Sequence, residues 1–180
     1  MAIKTFTTGE VLTASDTNTY LANSGLVYVT SATVGSAVSS VTVSNAFSAT
    51  YDAYKIVYLN GTGTTGTACQ FNLVGATTAW YGNLIYGPAT GGVNGAGVNN
   101  GGYMNWAGGC TGGSWNVSIE VLSPFLAQRT FASAPFSDAT NFGTSTHYLN
   151  NTTSYTGFTL TPGAGTFTGG TVTVYGYRKA

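Results

Sequence analysis

Apolar residues recur at every second position along most of this chain. Val41 and Val43, then Tyr54, Ile56 and Tyr58, then Phe71 and Leu73 each mark one side of a short segment. Trp115, Val117, Ile119 and Val121 repeat the pattern, and Val172 with Val174 closes it. A period of two is the signature of a strand with one buried face. Tyr175 and Tyr177 fall on the opposite side from Val172 and Val174, so this strand carries aromatic rings away from the core as well. Gly, Asn and Pro separate the segments. The spacing predicts an all-β fold, an antiparallel β-sandwich of jelly-roll type, over residues 26–180.

Residues 1–25 read differently. Thr13 and Asp16 have the spacing of a capping box with Asp in place of Glu, and Leu12 sits just outside it. A short helix from about Ala14 to Ala22 should succeed it, stopped near Asn23 and Gly25. Such a helix is too short to hold itself together in water. The segment is therefore expected to be an arm, held by the body of the protein or by a partner.

Glycines are densest between Gly87 and Gly113, and this stretch reads as one long loop. Trp80, Tyr81, Tyr86, Tyr103 and Trp106 lie in or beside it. Flat aromatic faces on a glycine-rich backbone suit stacking against a host-surface glycan or protein, which makes these five the candidate receptor contacts. The plainer alternative is a mobile surface loop or a contact between subunits.

Composition narrows the functions. Charged residues make up 6% of the chain, five basic and five acidic, for a net charge of zero. Phosphate neutralisation needs clustered Lys and Arg, so no nucleic-acid partner is expected. A neutral chain has little electrostatic protection against association, which favours life in an assembly. No apolar run is long enough for membrane insertion. No secretory pattern opens the chain, so synthesis in a cytoplasm is expected, with Cys69 and Cys110 as free, buried thiols.

Chemistry is sparse. Gly61, Gly63 and Gly66 match a dinucleotide fingerprint, but a β pattern comes next instead of a helix, and no acidic residue occurs between Asp52 and Glu120. The motif reads as a turn. His147 is the sole histidine, which leaves metal sites and a Ser-His-Asp arrangement short of members. Asp52, Glu120 and Asp138 are the only carboxylates in the body and form no recognisable pair. No catalytic residue, cofactor or metal is expected. Glu120 and Arg129 are expected to pair across neighbouring strands.

Both ends of the chain resemble a known group. Phe6 through Leu21 is similar to the N-terminal segment of small structural proteins of tailed bacteriophages, of the minor-tail, tail-fibre and head-fibre type. Gly169 through Tyr177 resembles the final strand of their β domains, and Phe47–Ile56 and Leu122–Phe125 fit the same style. The resemblance implies a homotrimer in the virion, joined to other virion proteins by the N-terminal arm, with Phe6, Val11, Leu12, Tyr20 and Leu21 as anchoring residues. It implies a β domain turned outward for host adhesion, or alternatively a capsid decoration (cement) or head-fibre protein that stabilises the shell.

Overall fold

The computed structural model describes residues 7–16 and 25–179. The N-terminal segment contributes α1 (Ala14–Asp16), and Thr13 and Asp16 form the expected reciprocal cap: the Asp16 amide donates to Thr13 Oγ1 at 3.1 Å and the Thr13 amide to Asp16 Oδ2 at 3.2 Å. The remainder of the predicted helix, together with Phe6, Tyr20 and Leu21 among the residues expected to anchor, lies outside the described residues. Val11 and Leu12 are exposed, at 80% and 50%.

The rest is strand and turn. In chain order the strands are β1 (Leu26–Thr33), β2 (Val41–Val43), β3 (Ala53–Leu59), β4 (Thr62–Gly63), β5 (Thr67–Leu73), β6 (Trp80–Pro88) and β7 (Asn94–Gly101). Then come β8 (Gly109–Thr111), β9 (Ser114–Leu122), β10 (Thr130–Ser137), β11 (Asn141–Leu149), β12 (Phe158–Pro162), β13 (Phe167–Thr168) and β14 (Thr171–Tyr177). All pairings are antiparallel, and together they make one curled 14-stranded sheet.

β9 is the seam of that sheet. Its C-terminal half lies between β3 and β10, in a wing of eight strands ordered β1-β14-β3-β9-β10-β11-β6-β7. Its N-terminal half turns to pair with β8 and β4, which lead to β5, β12 and β2 on one side and to β13 on the other. The two wings face each other across the core. Phe71 of β5 meets Trp80 of β6 edge-on with ring centroids 6.0 Å apart, and Trp115 of β9 meets Phe167 of β13 at 4.7 Å.

Every period-two face predicted from the sequence is buried in this core, including Tyr54, Ile56, Tyr58, Ile119, Val121, Val172 and Val174. Burying such side chains contributes about 1.5–3 kcal/mol each, which is the main force closing the wings on one another. Cys69 and Cys110 are both free and buried. The three glycines of the fingerprint-like motif serve packing. A Cβ at Gly61 would strike the Tyr58 ring, one at Gly63 the Trp115 indole, and Gly66 adopts a left-handed φ of 76°.

The glycine-rich stretch is not one loop. β6 extends to Pro88, and β7 and β8 occupy much of the chain between Pro88 and Gly113, with β7 paired to β6 from Tyr86↔Asn94 to Trp80↔Gly101. Gly and Asn disfavour strands only weakly, and a neighbour as rich in Tyr, Leu and Ile as β6 supplies the pairing that local preference lacks.

Candidate functional site

The eight-stranded wing has a second face, turned away from the core. Antiparallel register places side chains on it in transverse rows. One row runs Tyr28, Tyr175, Lys55, Glu120, Ser133, Thr146, Asn83 and Gly97, one residue from each strand in spatial order. The adjacent row contains Leu26, Tyr177, Ala53, Leu122, Phe131, Tyr148 and Tyr81.

Aromatic rings in the second row form a ladder across three strands. Tyr148 of β11 stacks on Tyr81 of β6 with centroids 5.5 Å apart and planes 19° from parallel. On its other side Phe131 of β10 lies 6.0 Å away, and the Arg129 guanidinium sits 5.8 Å from the Tyr148 ring centre. Arg129 therefore engages a ring, whereas the sequence led us to expect a pair with Glu120. Glu120 instead takes Lys55 Nζ on Oε1 at 2.6 Å and the Tyr177 hydroxyl on Oε2 at 2.7 Å. The reason is strand order: β9 has β3 on one side, which sets Lys55 directly opposite Glu120, while β10 offers Ser133 there. The hydrogen bond to Glu120 is the largest cause that pushes the Tyr177 phenol up to about 12.

Two grooves lie on this face, where β9 and β10 stay together only from Glu120 to Leu122. At that end a cavity of about 480 Å³ is walled by Leu122, Phe131, Tyr177 and Ala53. Toward the other end of β9, where the strand leaves for β8, a second of about 540 Å³ lies between Leu59, Val57, Pro135 and Phe142. The walls are apolar, with Glu120 and Lys55 bonded to each other between them.

The five aromatic residues singled out in sequence do not form one site. Trp80 is wholly buried, with Nε1 donating to Asn72 Oδ1 at 2.9 Å, so it is a core residue and is withdrawn as a receptor contact. Tyr81, its neighbour along the strand, points the other way and joins the ladder. Tyr86 lies on the same side of β6 as Trp80 and is half-buried. Tyr103 is exposed, and half-buried Trp106 lies 6.1 Å from the ring of His147, on the core side of the wing. Phe131, Tyr148, Leu122 and Lys55 were missed. The available signal was faint: Phe131 alternates out of phase with Ala132 and Ala134, which marks it as outward but not as anyone's neighbour.

Acid–base groups are scattered. His147 is 1% exposed, neither ring nitrogen has a hydrogen-bond partner, and burial pushes its pKa down to about 4. Burial pushes the Asp138 carboxyl up, but bonds from the amides of Thr140 and Asn141 and from the Asn141 side chain outweigh it and leave the pKa lowered. No group of three or more His, Cys, Asp or Glu side chains gathers at one place among the described residues, and no helix there is long and apolar enough to cross a membrane. What the face offers is contact: rings, aliphatic surface and a neutralised charge pair.

Comparison with protein-family models, with curated proteins and with solved structures finds no match to this chain.

Proposed function

We propose that this chain is a non-enzymatic structural protein of a tailed-bacteriophage virion, a homotrimeric module of the fibre or tip type. In this reading the N-terminal arm, continued as a short helix, joins it to other virion proteins. The two wings act as a jelly-roll-like sandwich presented to a host-surface glycan or protein. The observation that carries the reading is the outer face of the eight-stranded wing. A rigid β scaffold that keeps its ionisable groups few, and leaves aromatic and aliphatic side chains outward, is built for contact. The likeness of Phe6–Leu21 to phage structural proteins supplies the setting.

Cryo-electron microscopy of phage particles assembled in cells that express the chain tests the proposal. Trimeric density at the tail, attached at residues 1–25, is the expected result. Density on capsomer junctions would favour the capsid-decoration alternative, in which the same face clamps the shell. Particles that lack the chain altogether would overturn both.

A further inference from the structure

The geometry points to a specific partner for the outer face of the eight-stranded wing: another copy of this chain. The inference rests on the reading of the protein as an oligomeric module, and it adds which surface closes the oligomer, so that host contact falls to the parts of the β domain outside this face.

Beyond Asp16, every large apolar side chain exposed among the described residues lies on this face except Val74, Val93 and Tyr103. Leu122, Phe131 and Phe142 are 48%, 45% and 50% exposed, and none is shielded by a loop. Eight strands of about seven residues span about 38 Å by 23 Å, on the order of 900 Å². A stable protein–protein interface takes about 800 Å² from each partner. The face is therefore the size of an interface.

Charge selects the occupant. A surface meant for an acidic or basic partner would carry an excess of one sign. Here Lys55 and Glu120 stand side by side in one row and neutralise each other, with the second carboxylate oxygen satisfied by Tyr177, and the further charge on the ladder, Arg129, lies against the Tyr148 ring. The remaining polar positions of that row, Ser133, Thr146 and Asn83, are short and uncharged. A second copy brings the same sparsely charged face, so like-charge repulsion between copies is limited to Arg129. Burying an ion pair is tolerable when its oxygens already have donors, and these do. A free sugar fits less well, because the groove by Leu122 and Phe131 is walled by carbon and offers few hydrogen-bonding groups to hydroxyls.

Sedimentation velocity and native mass spectrometry on the full chain test this, with Leu122→Lys and Phe131→Glu on the face and Val93→Lys, 80% exposed elsewhere, as control. All three sites are exposed, so circular dichroism spectra should match the wild type, with melting temperature lowered in the face variants only by the lost association. The expected result is an oligomeric wild type and control, with the dissociation constant raised at least tenfold in each face variant. A monomeric wild type at micromolar concentration overturns the inference, as does an oligomer indifferent to both face variants. Glycan-array binding that Phe131→Glu abolishes, with the oligomer mass unchanged, overturns it in favour of a sugar. An oligomer that dissociates as expected but never enters particles would sink the virion reading and leave this surface standing.

Discussion

Tyr177, near the C-terminal end of the last strand, donates its hydroxyl to Glu120 at 2.7 Å, and the same carboxylate holds Lys55 at 2.6 Å. Three strands that are distant in the chain are thus stitched at one point on a face that carries few other charges. Tyr177→Phe removes one donor to a charged acceptor and should lower stability by about 1–2 kcal/mol. Because the folded phenol titrates at about 12 against an ordinary value of 10, its contribution is complete below pH 10 and fades as pH rises toward 12. Urea unfolding between pH 8 and 11 should show a shallower alkaline decline in the variant. Tyr58, pushed up to about 12 chiefly by burial, keeps part of that decline in both. Identical slopes would mean the bond does not form.

His147 contributes to the acid limit. Its imidazole is buried without a partner for either nitrogen, and it titrates near 4 when folded and near 6.5 when not. Its neutral form is favoured in the fold, so stability is full above pH 6.5 and falls as pH drops from there toward 4. The loss amounts to about 3 kcal/mol at roughly 1.4 kcal/mol per pKa unit. His147→Leu should flatten this limb in urea titrations from pH 7 to 4. The wild-type slope persisting in the variant would exclude His147 as its source.

Gly82 lies opposite His147 on β6, and a Cβ there would strike the imidazole and the Thr146 carbonyl. Gly82→Ala should cost about 1–3 kcal/mol by overpacking. Calorimetry showing an unchanged melting temperature would mean the ring has room to move aside.

Adjacent aromatic residues on β6 should behave oppositely. Trp80→Ala opens a cavity beneath Phe71 and leaves Asn72 Oδ1 without its indole donor, a loss of about 3–5 kcal/mol. Tyr81→Ala removes a ring from the outer ladder and should cost about 1 kcal/mol, the worth of one aromatic pair. Equal losses in denaturant titrations would mean that Tyr81 is as buried as its neighbour.

Thiol reagents should leave the native protein unlabelled. Cys69 and Cys110 are both buried, and burial pushes both thiols up, away from the reactive thiolate. Labelling at pH 8 should reach both only after denaturation. Fast native labelling would reveal an opening at the β5–β8 pairing.

Period two in the sequence was enough to mark the buried face of the strands it picked out, but not Trp80, Phe158 or Phe167, which also fill the core. Val117, Ile119, Val172 and Val174 face inward because successive residues of any strand must point to opposite sides, a local rule independent of neighbours. The same rule made Tyr175 and Tyr177 outward. What it does not specify is who stands beside whom. Phe131, Tyr148 and Tyr81 become a ladder, and Glu120 finds Lys55 before Arg129, only because β10, β11 and β6 lie in that order and β9 has β3 at its flank. That order arises from long-range pairing and core closure summed over the whole sheet, which no short window contains. It also turns the glycine-rich residues of β7 into a strand: their own preferences are weak, and β6 supplies the hydrogen-bonding edge that decides them.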